Sequence, residues 1–151
     1  MTIPSNYLIA DALRDNLMNN SEIERYLNVR SKTIKVNPYA NVDPNKAPWI
    51  GVYVRTNTIE ANALPRNFKG SIALSIVSQA SSTDSCTCAE KLMNLVAHIE
   101  QTIIDDLKLK TTVDLITSID TQYTYLETER ENMYFQMAIT NLTAEVRANA
   151  R

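Results

Sequence analysis

A capped apolar stripe set between runs of alternating residues restricts what this chain can fold into. The stretch "SSTDSC" supplies side-chain oxygens of the kind that accept from the free N–H groups of a first helical turn, with Thr83 or Asp84 as the N-cap. From there to about Leu107, the residues Ala89, Leu92, Met93, Val96, Ile99, Ile103, Ile104 and Leu107 recur at helical spacing. That spacing predicts one helix, Asp84–Leu107, of roughly 24 residues and ~36 Å. Upstream, "FKGSIALSIVSQ" has a period of two. Phe68, Ile72, Leu74 and Ile76 share one face and Lys69, Ser71 and Ser75 the other, as in a half-buried strand. Downstream, Ile119, Tyr123 and Tyr125 mark one strand and Met133, Phe135, Met137 and Ile139 a second, joined at about "TEREN". A helix of that length must bury its stripe against another layer. The order therefore predicts an α+β fold, a mostly antiparallel sheet with helices packed on one face and a long C-terminal β-hairpin. Its core strands are expected at Trp49–Arg55, Phe68–Val77, Leu115–Glu127 and Met133–Thr143.

The remainder fits around that frame. Pro4 to about Leu17 reads as a first helix, with Tyr7, Leu8, Ala12, Leu13 and Leu17 near one face and Asp11, Arg14 and Asp15 outside it. "NNSEIERYLNV" continues as a short helical segment with Ser21 as its cap. "SKTIKV" alternates briefly, as a short strand would. Pro38, Pro44 and Pro48 mark an irregular loop. "WIGVYVRT" is β-prone and apolar on both faces at its centre, which predicts an inner strand, and "TNTIEANALPRN" reads as an edge strand or loop.

At 151 residues the chain suits one domain, 1–151, with a single core. Its net charge is −2 and its basic residues are scattered, so nothing favours a nucleic-acid or anionic-membrane partner. No run reaches the 18 to 20 apolar residues, roughly, of a membrane span, and the start lacks the basic region of a secretion signal. A reducing cytoplasm is the expected place of synthesis, and two cysteines are too few for a disulfide framework.

The residue inventory does not suit an enzyme. His98 is the only histidine, and no acidic partner stands at ligand-like spacing. No nucleophile motif such as G-x-S-x-G accompanies it. Cys86 and Cys88 form C-x-C at a helix start, where the macrodipole lowers thiol pKa values, yet no further ligands exist to hold a metal. The bland reading, small residues packed in or near the core, outweighs a redox one. With only Gly51 and Gly70, no phosphate-cradling loop can form. Asp105 and Asp106 end the long helix, as a contact site or simply as a solvated terminus. Tyr7, Tyr26, Tyr39, Tyr53, Tyr123, Tyr125 and Tyr134 suit strand and core positions, although exposed tyrosines also populate interfaces. The expectation is no catalytic, cofactor or metal site, and a protein that works by contact.

Four segments in order carry a resemblance. They are "NYLIADALRDNL", "APWIGVYVRT", "GSIALSIVSQASSTDSCTCAEKLMNLVAHIEQTI" and "DLITSIDTQYTYLETERENMYFQMAITNLTAEV". Together, over Tyr7 to Val146, they resemble the tail terminator (tail completion) proteins of long-tailed bacteriophages, the lambda-type minor tail proteins. In that family an N-terminal helix, a proline-led strand, a strand running into a long helix, and a tyrosine-bearing strand with a charged turn follow in the same order. Ser21 to Asn45 is longer than the family pattern, and "RANAR" extends past its final strand. The resemblance implies a homohexameric ring in the virion tail, assembled in the host cytoplasm. Such a ring caps the tail tube, ends polymerisation and offers a surface to the head-completion protein, with the end of the tape measure protein as a further contact. Charged residues select partners at such surfaces more than they add affinity. The candidates are Arg55, Glu60, Arg66 and Lys69 about the central strands, and Glu127, Glu129, Arg130 and Glu131 on the hairpin. A solvated charged turn with no partner is the competing reading. The competing functions are a head-tail connector or neck protein, and a small cytoplasmic ligand-binding module with a polar-lined pocket.

Overall fold

A computed structural model of the protein describes residues 5–27, 34–37, 49–61, 67–130 and 133–149. The elements run α1 (Asn6–Met18), α2 (Ser21–Leu27), β1 (Trp49–Ala61), β2 (Asn67–Ser82), α3 (Ser85–Asp105), β3 (Leu115–Arg130) and β4 (Met133–Asn149). The strands form one antiparallel sheet in the order β1-β2-β4-β3. Because β4 inserts antiparallel between β2 and β3, those two run the same way, and α3 makes the crossover between them. This is an α+β fold with the long C-terminal hairpin the alternation predicts.

The α3 helix starts where the capping oxygens require. Asp84 is its N-cap, accepting from Thr87 N at 2.9 Å and from Thr87 Oγ1 at 2.8 Å. These two bonds hold the Asp84 carboxyl below the usual carboxylate range. The helix buries Cys88, Leu92, Leu95, Val96, Ile99, Thr102 and Ile103. Met93 and Ile104, expected in the stripe, instead lie exposed on its outer side. In α1 the buried line is Ile9, Ala10, Leu13 and Leu17, so the expected face is shifted and Tyr7 and Leu8 are exposed. A ladder at i, i+4 and i+8 from Ile9 packs on β1, which leaves the two preceding residues outside it. Ser5 caps α1 through Leu8 N. The cap of α2 is Asn20 rather than Ser21, because Asn20 Oδ1 accepts from Glu22 N and Ile23 N at 2.9 and 3.2 Å.

One continuous core joins these helices to a single face of the sheet. Ile9, Leu13, Leu17, Ile23, Leu95, Ile99 and Ile103 meet Ile50, Val52, Ile72, Leu74, Ile76, Leu142 and Ala144. A smaller cluster of Ala80, Cys88, Leu92, Val96 and Ala138 extends it under the start of α3, with Tyr123 and Tyr134 against it. Each fully buried Leu or Ile contributes about 1.5–3 kcal/mol relative to exposure.

Two parts of the sheet differ from expectation. β1 is an edge strand, not an inner one, and it runs on to Ala61, so the described part of "TNTIEANALPRN" takes the edge-strand alternative. It looked internal because Ile50 and Val52 are buried beneath α1 while Lys35 covers its outer side there. "SKTIKV" supplies no strand among its described residues, only this parallel bridge at Lys35. Lys35 N donates to Ile50 O at 3.4 Å and Val52 N donates to Lys35 O at 2.9 Å. β4 extends past Thr143 to Asn149, so Arg147, Ala148 and Asn149 pair with Lys69, Phe68 and Asn67 instead of trailing. At the hairpin, Arg130 pairs with Met133, so the expected turn "TEREN" contracts and Thr128–Arg130 belong to β3.

After α3 the chain reverses through three consecutive left-handed residues, Leu109 (φ 45°), Lys110 (φ 54°) and Thr111 (φ 69°). None is glycine, so the conformation is strained by about 1–2 kcal/mol per residue. Burial of Leu109 offsets it, as do bonds from Lys110 N to Asp106 Oδ2 (2.9 Å) and from Ile116 N to Leu107 O (2.8 Å). Asp106 thus serves as the helix C-cap and orders the next turn.

Candidate assembly surfaces

The sheet ends in two open edges. Among the described residues β1 pairs with β2 alone once the Lys35 bridge is passed, and β3 has β4 as its one strand neighbour. From Arg55 to Glu60 every β1 residue is exposed, on both faces. On β3, Leu115, Thr117, Ser118, Asp120 and Gln122 are exposed. Bulges interrupt each edge, between Val54 and Thr56 on β1 and between Ile116 and Ser118 on β3, with a second β3 irregularity between Thr124 and Thr128. The runs between them, Thr56–Ala61 and Ser118–Thr124, keep regular register. An edge strand with no second strand neighbour is a template for another strand.

Each edge is flanked by exposed apolar side chains, which sequence periodicity assigned to the core. Beside β1, the first turn of α1 exposes Tyr7 (64%) and Leu8 (56%), and β1 itself exposes Ile59 (51%). Asn57 Nδ2 donates to Asn6 Oδ1 at 2.7 Å and ties this turn to the strand. Between them lies a shallow cleft of about 190 Å³ lined by Asn6, Tyr7, Ala10, Val36, Tyr53 and Val54. That is smaller than a typical small-molecule site, which starts near 300 Å³.

Beside β3 runs the outer side of α3, with Met93, Ala97, Glu100 and Ile104 in line. Thr121 Oγ1 donates to Glu100 Oε1 at 3.3 Å and fixes which side of the helix this is. The opposite side is held to α1 and α2 by Asn20 Nδ2 donating to Thr102 Oγ1 (2.6 Å) and Asn16 Nδ2 to Thr102 O (3.4 Å). Met93, Ile104 and, at the start of β3, Leu115 are the exposed apolar residues of this flank.

The sheet face turned away from the helices is a third surface. Along β4 the residues alternate, so Phe135, Met137, Ile139 and Asn141 point to this face while Ala138, Leu142 and Ala144 point to the core. The two apolar stripes of the hairpin therefore lie on opposite faces: Ile119 and Tyr123 look toward the helices, Met137 and Ile139 away. Ser75 Oγ donates to Asn141 Oδ1 at 2.8 Å across the centre, and Val77 and Phe135 are buried there although no described helix covers them.

Of the charged candidates, Glu60 and Lys69 stand toward one end of this sheet and Glu127, Glu129 and Arg130 toward the other, with Arg55 midway. Glu60 stands opposite Lys69, and Lys69 Nζ lies 3.3 Å from Glu145 Oε1, a half-exposed pair of small energetic weight. Arg55 is the bulged residue of β1 and is exposed. Glu127, Glu129 and Arg130 sit in the last part of β3, within the strand rather than at a turn, at the other end. Arg66 and Glu131 lie outside the described residues.

The remaining candidates are also placed. Cys88 is buried, its Sγ 3.3 Å from Ala80 O, whereas Cys86 is exposed and so is not the packed residue expected. His98 is half-buried on α3, and its carbonyl accepts from Thr102 Oγ1 at 2.7 Å. Among the described residues no three His, Cys, Asp or Glu side chains are grouped to hold a metal ion. No described helix is long and apolar enough to cross a membrane.

No protein-family model and no curated protein sequence matches the chain. Among solved structures, it is similar to a chain of the "Virion of native gene transfer agent (GTA) particle". The identity is 7% and the TM-score 0.43, over 91% of this chain and 94% of that one.

Proposed function

We propose that this protein is a non-catalytic structural component of a phage-like virion, a tail terminator that closes the tail tube as a ring. The observation that carries the proposal is a four-stranded sheet with helices on one face and, among the described residues, a strand with a single strand neighbour at each flank, built in the element order of the terminator resemblance. Two unlike flanks on one subunit suit heterologous contacts, and those close into rings when the rotation per subunit divides a full turn. The resemblance sets the number of subunits at six. In this role the ring stacks on the last tube ring, stops its growth and presents its far side to the head-completion protein. In this reading the charged candidates serve the contacts with the rings above and below.

The test is co-assembly with the tube protein of the same phage, followed by electron microscopy. A terminator labels one end of each tube and halts elongation. Labelling of tailless heads with no effect on tubes would instead identify a neck protein.

A further inference from the structure

We infer that two copies of this chain pair through the Arg55–Ala61 run of β1, antiparallel about a two-fold axis that passes beside Thr58. The inference concerns the free protein, goes beyond the ring reading and does not depend on it.

The run suits a strand partner. Every residue from Arg55 to Glu60 is exposed, on both faces, and among the described residues β2 is its one strand neighbour. Thr56, Thr58 and Ile59 are β-branched, and the run contains no lysine or proline, the residues that most often block an edge. Past the bulge the register to β2 is regular from Thr56 to Ala61.

A two-fold axis perpendicular to the sheet reverses strand direction and keeps the faces. The second β1 is then antiparallel to the first, the two four-stranded sheets become one, and both sets of helices stay on the same side. Directly opposed residues must share a face. Thr56, Thr58 and Glu60 pair with Ala73, Ser71 and Lys69 on the helix-free face, and Asn57 and Ile59 with Ile72 and Gly70 on the other. Centred on Thr58, the join sets Thr56 against Glu60, Asn57 against Ile59 and Arg55 against Ala61, and so uses the whole run.

Charge selects a like edge as the occupant. Arg55 and Glu60 carry opposite signs at the two ends of the run. Antiparallel pairing brings Arg55 of each copy beside Glu60 of the other, twice per dimer, whereas a parallel alignment would set like charges together. On the helix side, Asn57 Nδ2 donates to Asn6 Oδ1 at 2.7 Å and holds the first turn of α1 next to the axis. Tyr7, Leu8 and Ile59 are exposed there, and the two-fold lays this apolar patch against its mate and covers both.

Cross-linking and charge reversal test the join. Thr58 is exposed and nearest the axis, so Thr58→Cys in a Cys86→Ser background, with buried Cys88 kept, is treated with a short bis-maleimide. Gln122→Cys in the same background, exposed on the β3 edge, is the control. The inference expects a dimer by native mass spectrometry, a covalent dimer from Thr58→Cys and little or none from Gln122→Cys. Arg55→Glu should raise the dimer dissociation constant about tenfold or more, and adding Glu60→Arg should bring it back. A monomer at every concentration would overturn the inference, as would a dimer that cross-links through Gln122→Cys or a double reversal that fails to restore pairing. A closed ring of the free protein with no cross-link from Thr58→Cys would overturn it and leave the ring reading standing.

Discussion

On β2, Ile72, Leu74 and Ile76 are almost completely buried beneath α3, whereas on the neighbouring β1 every residue from Arg55 to Glu60 is exposed. Both strands belong to one sheet and pair with each other along their length. The difference is what lies outside the ladder. β2 has a strand on each side and a helix above it, while the far half of β1 has, among the described residues, one strand neighbour and a single side-chain bond to the start of α1. The same contrast separates the inner side of α3, where Leu95 and Ile99 are fully buried, from its outer side, where Ile104 is 54% exposed. The buried half accounts for stability. The open half carries apolar and charged side chains that do little for the monomer, and assembly is the use they suit.

Substitutions should separate the two halves, and the largest effect belongs to the core. Leu95→Ala or Ile99→Ala should lower unfolding free energy by about 2–5 kcal/mol in denaturant titration, since the packed helices and strands can refill the cavity only in part. A loss within a few tenths of a kcal/mol would mean that α3 is not seated as described.

A smaller effect of opposite sign is expected at the strained reversal. Thr111→Gly removes left-handed strain of about 1–2 kcal/mol and adds unfolded-chain entropy of about 0.5–1, so a net gain of roughly 0.5 to 1 kcal/mol should appear. Destabilisation would show that the Thr111 side chain contributes more than its exposure suggests.

Reversing Glu129, Arg130 and Glu131 together should change monomer stability by about 0.5 kcal/mol or less. Capping should nevertheless weaken, giving tubes of uncontrolled length. Normal capping by this variant would remove the hairpin end from the contact surface.

The smallest effect concerns Tyr26. Burial first, then Cys88 and Glu90, push its pKa up to about 12. An unfolded tyrosine ionises near 10, so between roughly pH 10 and 12 the folded state holds a proton that the unfolded chain has lost. Stability should therefore fall as pH rises through that window, and Tyr26→Phe should flatten this part of the fall. Among the described residues its buried hydroxyl has no hydrogen-bond partner, so the same change should leave stability at neutral pH equal or slightly higher.

Local signals were readable in the residues. The Asp84 cap, the α3 helix and the two strands of the closing hairpin follow from side-chain oxygens and from periods of 3.6 and two. Strand order was not readable, because it depends on pairings between distant segments. "WIGVYVRT" looks internal from its composition, yet a helix and one backbone bridge at Lys35 give an edge strand the same apolar demand. The left-handed turn was hidden for a related reason: "LKT" lacks the glycine or asparagine that normally announces such a reversal. The assembly surfaces were legible only in part. Their charges stand out, but Tyr7, Leu8, Met93 and Ile104 read as core because an apolar residue looks alike whether it faces its own sheet or lies exposed.

The most direct test of the account is the mass of the assembled species, measured by native mass spectrometry on the purified protein alone and with tail tubes. A ring built from two unlike flanks gives one closed species of fixed copy number, six by resemblance, in at least one of the two conditions. A monomer in both, or a ladder of sizes without a preferred end point, would contradict it.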